Sequence, residues 1–122
     1  MKILYIIVIL FFIICRSYAQ LPDIISNFKS GNAKELSAHF NNNIELDIFK
    51  NENTCSKSQA QQIIINFFNQ YQPKNFIIIY QGGKENSPYV IGNLITKENK
   101  FRVYFLLREN KIYILRIEFT EF

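Results

Sequence analysis

The chain has 122 residues, of which 48% are hydrophobic, 16% aromatic and 20% charged, with a formal net charge of +4. That length suits one domain. The composition excludes a collagen-like, disulfide-dense or wholly disordered chain.

The first residues read as an address and not as part of the fold. Lys2 precedes an unbroken apolar run from Ile3 to Cys15, followed by Arg16-Ser-Tyr-Ala-Gln. As a helix this run spans about 20 Å at 1.5 Å per residue, short of the roughly 30 Å hydrocarbon core of a membrane. Ser17 and Ala19 occupy the small-residue positions of a cleavage site. Residues 1–19 are therefore expected to be a secretory signal peptide cut near Ala19, the alternative being a retained anchor. The protein would then be exported, to the periplasm or outside the cell. Cys15 follows Ile14, where a lipid-attachment signal would want a small residue. Loss of Lys2 and Arg16 lowers the net charge of +4 by two. The remaining field is too weak to suggest nucleic acid as a partner. Cys55 is left alone, so no internal disulfide is available to residues 20–122, and burial as a small hydrophobe is its ordinary fate.

Residues 20–122 read as a single α+β domain. Ile24, Ile25 and Phe28 fall at helical spacing after Pro22, and Gly31-Asn32 ends that helix. Asn32 caps a second short helix, Ala33 to Phe40. Asn41, Asn42 and Asn43 are expected to form a polar turn before Ile44-Glu-Leu-Asp-Ile, a half-buried strand. Asn51 to Cys55 reads as a loop or short strand. Ser56 with Gln59 resembles a capping box that opens a longer helix, Lys57 to Gln70. Its apolar stripe runs through Ala60, Ile63, Ile64, Phe67, Phe68 and Tyr71, and Pro73 stops it.

The rest reads as four strands in an antiparallel meander: Phe76 to Gln81, closed by a turn at Gly82-Gly83; Tyr89 to Thr96; Phe101 to Arg108; and Ile112 to Phe119. Alternation puts Phe101, Val103, Phe105 and Leu107 on one face, with Arg102, Tyr104, Leu106 and Arg108 on the other. On the last strand it groups Tyr113, Leu115, Ile117 and Phe119 against Ile112, Ile114, Arg116 and Glu118. An apolar patch around Ile112 and Ile114 could serve a partner.

Few residues carry chemistry. His39 could act as a general base, although a histidine at a helix end is ordinarily solvated or capping. Glu45 and Asp47 share a strand face and could hold a hard cation, or simply be solvated. Tyr80, Tyr89, Tyr104 and Tyr113 lie on strands, where they could line a ligand cavity or serve as ordinary sheet residues. Arg102 and Arg116, with Glu118 nearby, suggest a cross-strand ion-pair ladder or an anion site. One histidine and one cysteine beyond the leader leave no catalytic triad or metal-ligand cluster to assemble. No cofactor motif is present: no helix follows Gly82-Gly83 at phosphate-loop spacing.

The element order is that of the cone-shaped, cystatin-like and nuclear-transport-factor-two-like superfamily, which includes ketosteroid isomerase and scytalone dehydratase. The pattern most resembles the domain-of-unknown-function 4783 family of exported Bacteroidetes proteins. The resemblance rests on Ser30-Gly-Asn-Ala-Lys-Glu-Leu-Ser, Phe40 and Ile44-Glu-Leu. It continues through Ser56-Lys-Ser-Gln-Ala with Phe67-Phe68, Gln81-Gly-Gly, Lys100-Phe-Arg-Val-Tyr-Phe-Leu-Leu and Leu115-Arg-Ile-Glu. It covers nearly all of 21–119. It implies helices packed on a curved antiparallel sheet, and carries over no catalytic residues. The superfamily's enzymes place an Asp, His or Tyr inside the cone. Here no Asp falls in the apolar runs and His39 stands alone. The expectation is a non-catalytic domain binding a small apolar ligand or a protein partner, or forming a homodimer through its sheet. An isomerase- or dehydratase-like enzyme using His39 or a strand tyrosine in a cone cavity is the alternative.

Overall fold

The computed structural model describes residues 2, 3, 6 and 20–121. The expected leader and its cleavage position near Ala19 lie outside these, apart from Lys2, Ile3 and Ile6. Among the described residues no helix is long and apolar enough to cross a membrane.

Among residues 20–121, three helices lie on one face of a six-stranded sheet. In chain order the elements are α1 (Gln20–Ser30), α2 (Ala33–Ala38), β1 (Phe40–Ile48), β2 (Asn51–Ser56), α3 (Lys57–Gln70), β3 (Pro73–Lys84), β4 (Ser87–Thr96), β5 (Lys100–Arg108) and β6 (Lys111–Thr120). The strand order is β2-β1-β6-β5-β4-β3, which leaves β2 and β3 as edges. The meander β3–β6 is antiparallel as expected. The sheet as a whole is mixed, because β1 runs parallel to β6.

Local chemistry explains the helix ends. Gly31, at φ +68°, terminates α1: its N–H donates to Phe28 O at 3.3 Å and Asn32 N–H donates to Asn27 O at 3.0 Å. A left-handed residue costs glycine nothing there. Asn32 Oδ1 accepts from Glu35 N–H at 3.1 Å and starts α2. Ser56 and Gln59 form the expected capping box on α3.

The helices bury their apolar stripes against the sheet. Ile24, Phe28, Leu36, Ile64, Phe67 and Phe68 meet Phe76, Val90, Leu94, Phe101, Val103, Phe105, Leu115 and Ile117. Phe28 is stacked between Phe76 and Phe105, with ring centroids 4.9 and 5.7 Å away. Cys55 is buried and free, the fate expected of it.

Several expectations are corrected. Asn41–Asn43 are not a turn: β1 starts at Phe40, and α2 stops at Ala38. Of the two readings open for Asn51–Cys55, the strand holds, extended to Ser56, because β1 supplies a complete antiparallel partner. Gly82 and Gly83 lie inside β3, and the turn follows at Glu85-Asn86. Gly82 lets the Tyr89 ring lie close over β3, since a Cβ there would sit 2.6 Å from its hydroxyl and push the ring aside. On β6, a bulge between the pairs Leu106↔Ile114 and Leu107↔Ile112 inserts Tyr113. It carries Ile112 into the core and leaves Tyr113 on the outer face with Arg108, reversing the grouping that alternation gave.

Candidate functional site

The sheet has two faces with different chemistry. The face away from the helices carries a row of aromatic rings. Tyr80 and Tyr89 lie 5.9 Å apart, and Tyr89 and Tyr104 lie 5.7 Å apart. The Arg116 guanidinium sits 5.7 Å from the Tyr104 ring centroid, and that of Arg108 5.7 Å from Tyr113. The Tyr89 phenol is held above the ordinary tyrosine value, first by partial loss of solvent and then by Tyr80 and Tyr104 beside it. Ile77, Ile79 and Tyr80 are exposed on the neighbouring edge strand.

The tyrosines therefore do not line a cone cavity. Three of them, Tyr80, Tyr89 and Tyr104, are brought together on the outside, and Tyr113 sits apart from them with Arg108. The ion-pair ladder is corrected too. Arg102 donates from Nε to Asn93 Oδ1 at 3.0 Å, although its register partner on β6 is Glu118. Arg116 faces Tyr104 across the strands. Glu45 and Asp47 share this outer face with Glu52, Thr54, Ile114 and Arg116 around a depression of about 270 Å³. Among the described residues no group of three or more His, Cys, Asp or Glu side chains could hold a metal ion.

His39 belongs to the scaffold. It ends α2, with its N–H donating to Leu36 O at 3.0 Å, and its carbonyl accepts from Ile112 N–H at 2.8 Å. Burial holds its imidazole below the ordinary histidine value. Asp23 opposes that effect and Lys111 adds to it. It lies on the helix side of the sheet and shares no site with the tyrosines.

Beneath the helices the expected hollow is largely filled by phenylalanine rings. It stays open at one end, where a groove of about 320 Å³ separates α3 from β1 and β2. Ile63, Asn66, Phe67, Gln70 and Tyr71 line it from the helix side. Leu46, Ile48, Phe49, Asn51 and Asn53 line it from the sheet side.

The sequence explains why the seam opens there. The inward positions of β5 are Phe101, Val103, Phe105 and Leu107, all buried. Those of β2 are Asn51, Asn53 and Cys55, of which only Cys55 is buried. Two carboxamides stand where apolar side chains would have closed the gap, and α3 meets them with Asn66 and Gln70. Among the described residues the Asn51 and Asn53 side chains make no hydrogen bond to the protein, and both are exposed. Gln70 Nε2 donates to the Tyr71 hydroxyl at 3.2 Å, leaving its carbonyl oxygen free to accept.

Phe49 closes the end of the groove. It and Lys50 form the two-residue β1–β2 turn, at φ +55° and +67°. A bulky residue in that region is strained. Its ring is held in place by Phe119 (4.5 Å, 8°), Phe67 (6.0 Å) and Tyr71 (6.2 Å). Sequence reasoning missed this site. The signal was present in the Asn-x-Asn pattern facing inward beside Cys55, but it becomes visible only once β2 is recognised as a strand.

The fold places the chain in the nuclear-transport-factor-two-like class of α+β domains. A protein of unknown function from Cytophaga hutchinsonii in that class superposes with a TM-score of 0.60 at 12% identity, over 83% of this chain and 87% of that one. Within the class, the chain belongs to the family described as Domain of unknown function (DUF4783), whose sequence profile matches residues 21–119. A DUF4783 family protein from Bacteroides uniformis is 30% identical with a TM-score of 0.77, covering 83% of this chain and 97% of that one. One from Bacteroides ovatus is 28% identical with a TM-score of 0.78, covering 82% and 94%. No protein of curated function matches the chain.

Proposed function

We propose that the chain is an exported binding domain that takes a small ligand into the groove between α3 and the β1–β2 hairpin. Export rests on the leader pattern of residues 1–19. The observation that carries the binding reading is the groove itself. It is the place where the helix–sheet seam is held open by inward-facing carboxamides, and its volume of about 320 Å³ falls in the range of small-molecule sites, about 300–1,000 Å³. Neither His39 nor any strand tyrosine reaches it, so the residues weighed for isomerase or dehydratase chemistry stand elsewhere. Native mass spectrometry of the chain purified from its own compartment tests the reading. A retained small molecule, lost when Ile63→Trp fills the groove, is expected. A ligand-free protein with no thermal shift toward uncharged small molecules overturns it.

A second reading is favoured by a separate observation. The row Tyr80–Tyr89–Tyr104 adjoins Ile77 and Ile79, and Ile77, Ile79 and Tyr80 are 48%, 48% and 56% exposed. Such a surface suits a homodimer or a protein partner docking on the open sheet. Sedimentation of the full chain and of Tyr80→Arg tests it. A dimer abolished by the substitution is expected, and a monomer at high concentration overturns the homodimer.

A further inference from the structure

We propose that the ligand of the α3/β1–β2 groove is a neutral saccharide, an inference that rests on the groove being a ligand site. The argument is one of chemical matching. Its ten lining residues include no Asp, Glu, Lys, Arg or His, in a chain where 20% of residues are charged. A charged ligand would lose water there without gaining a counter-charge. A purely apolar ligand would cover the Asn51 and Asn53 carboxamides and take away their water without offering a hydrogen-bond partner.

The remaining class has apolar faces and an edge that both donates and accepts hydrogen bonds. A pyranose ring has that form. Its C–H face can lie against the ring of Phe49, which is stacked on Phe119 by one face only, while Tyr71, at 82° to Phe49 and 6.2 Å away, stands beside it as a side wall. Its hydroxyls need groups that both donate and accept, and a carboxamide does both. Asn51 and Asn53 on β2 face Asn66 and Gln70 on α3, so a ring seated on the aromatic end meets carboxamides on both sides. The strained Phe49 backbone fits the same role. Its position costs stability, while the ring it holds is 38% exposed over the groove.

The test is a titration of the ¹⁵N-labelled full chain with neutral trisaccharides of glucose, xylose and mannose, with decanol as the apolar probe. The side-chain amide signals of Asn51, Asn53, Asn66 and Gln70 report directly. Saturable shifts of these signals by at least one saccharide are expected. Asn53→Leu should weaken the response at least tenfold, as should the exposed Gln70→Ala, which keeps the test valid if the first variant folds poorly. Shifts caused by decanol and by no saccharide would overturn the saccharide inference while leaving a ligand groove in place. No response to any probe would overturn both. Saccharide shifts confined to the tyrosine face would overturn the assignment of the groove.

Discussion

The two ends of the helix–sheet seam are built from the same kinds of element and close differently. Under β4 and β5, α1 delivers Phe28 between Phe76 and Phe105, and the seam is solid. Under β1 and β2, α3 faces Asn51 and Asn53, and the seam stays open. Helix placement does not set the difference, because Ile64, Phe67 and Phe68 of α3 are buried in the core, as Ile24 and Phe28 of α1 are. It lies in two inward positions of one edge strand. In a close-packed interior, replacing apolar volume with hydrated amide is enough to turn core into cleft.

The comparison can be broken most severely at the solid end. Phe28→Ala removes a fully buried ring from two stacks and is expected to lower the free energy of unfolding by about 3–5 kcal/mol in urea titration. A loss below about 1 kcal/mol would mean that this end is not close-packed. Gly92→Ala attacks the same region by overfilling, since a Cβ there would lie 2.4 Å from the Phe76 ring. About 1–3 kcal/mol of destabilisation is expected in the same assay.

At the open end the sign reverses. Asn53→Leu places apolar volume in the groove, and is expected to raise stability by about 0.5–2 kcal/mol by thermal unfolding while removing ligand binding. A destabilised variant would mean that Asn53 is a structural requirement of β2. Lys50→Gly is expected to add about 1 kcal/mol, because the exposed lysine sits at φ +67° where glycine is unstrained.

The smallest effect belongs to His39. Its pKa is lowered in the folded state, chiefly by burial, so below the ordinary value of about 6.5 the unfolded chain binds more protons. Stability is therefore full above that pH and falls as the pH drops through it. His39→Gln is expected to flatten the slope between about pH 7.5 and 5.5, measured as the denaturation midpoint.

The same contrast separates what was legible in the sequence from what was not. The strands β3 to β6 were legible because one face of each is apolar and their neighbours are adjacent in sequence. The helix starts at Asn32 and Ser56 were legible because capping is local. β2 was legible only as one of two alternatives, loop or short strand, because its polar run becomes a strand by pairing with β1, and β1 takes its place by a parallel pairing with β6 across most of the chain. The outward position of Tyr113 follows from one inserted residue that alternation cannot foresee. The Phe49-Lys50 turn lacks the Asn-Gly chemistry that announces such turns. Three of the four tyrosines do gather, on the solvent side of the sheet. The groove escaped because its key residues are ordinary asparagines.

The most direct measurement is a crystal structure of the full chain soaked with a neutral trisaccharide that shifts the Asn53 amide signal. Sugar density lying on Phe49 and Tyr71, with its hydroxyls within hydrogen-bond distance of Asn51, Asn53 or Gln70, is the expected result. A groove closed by repacked side chains, or sugar found on the tyrosine face and not between α3 and β2, would contradict the account.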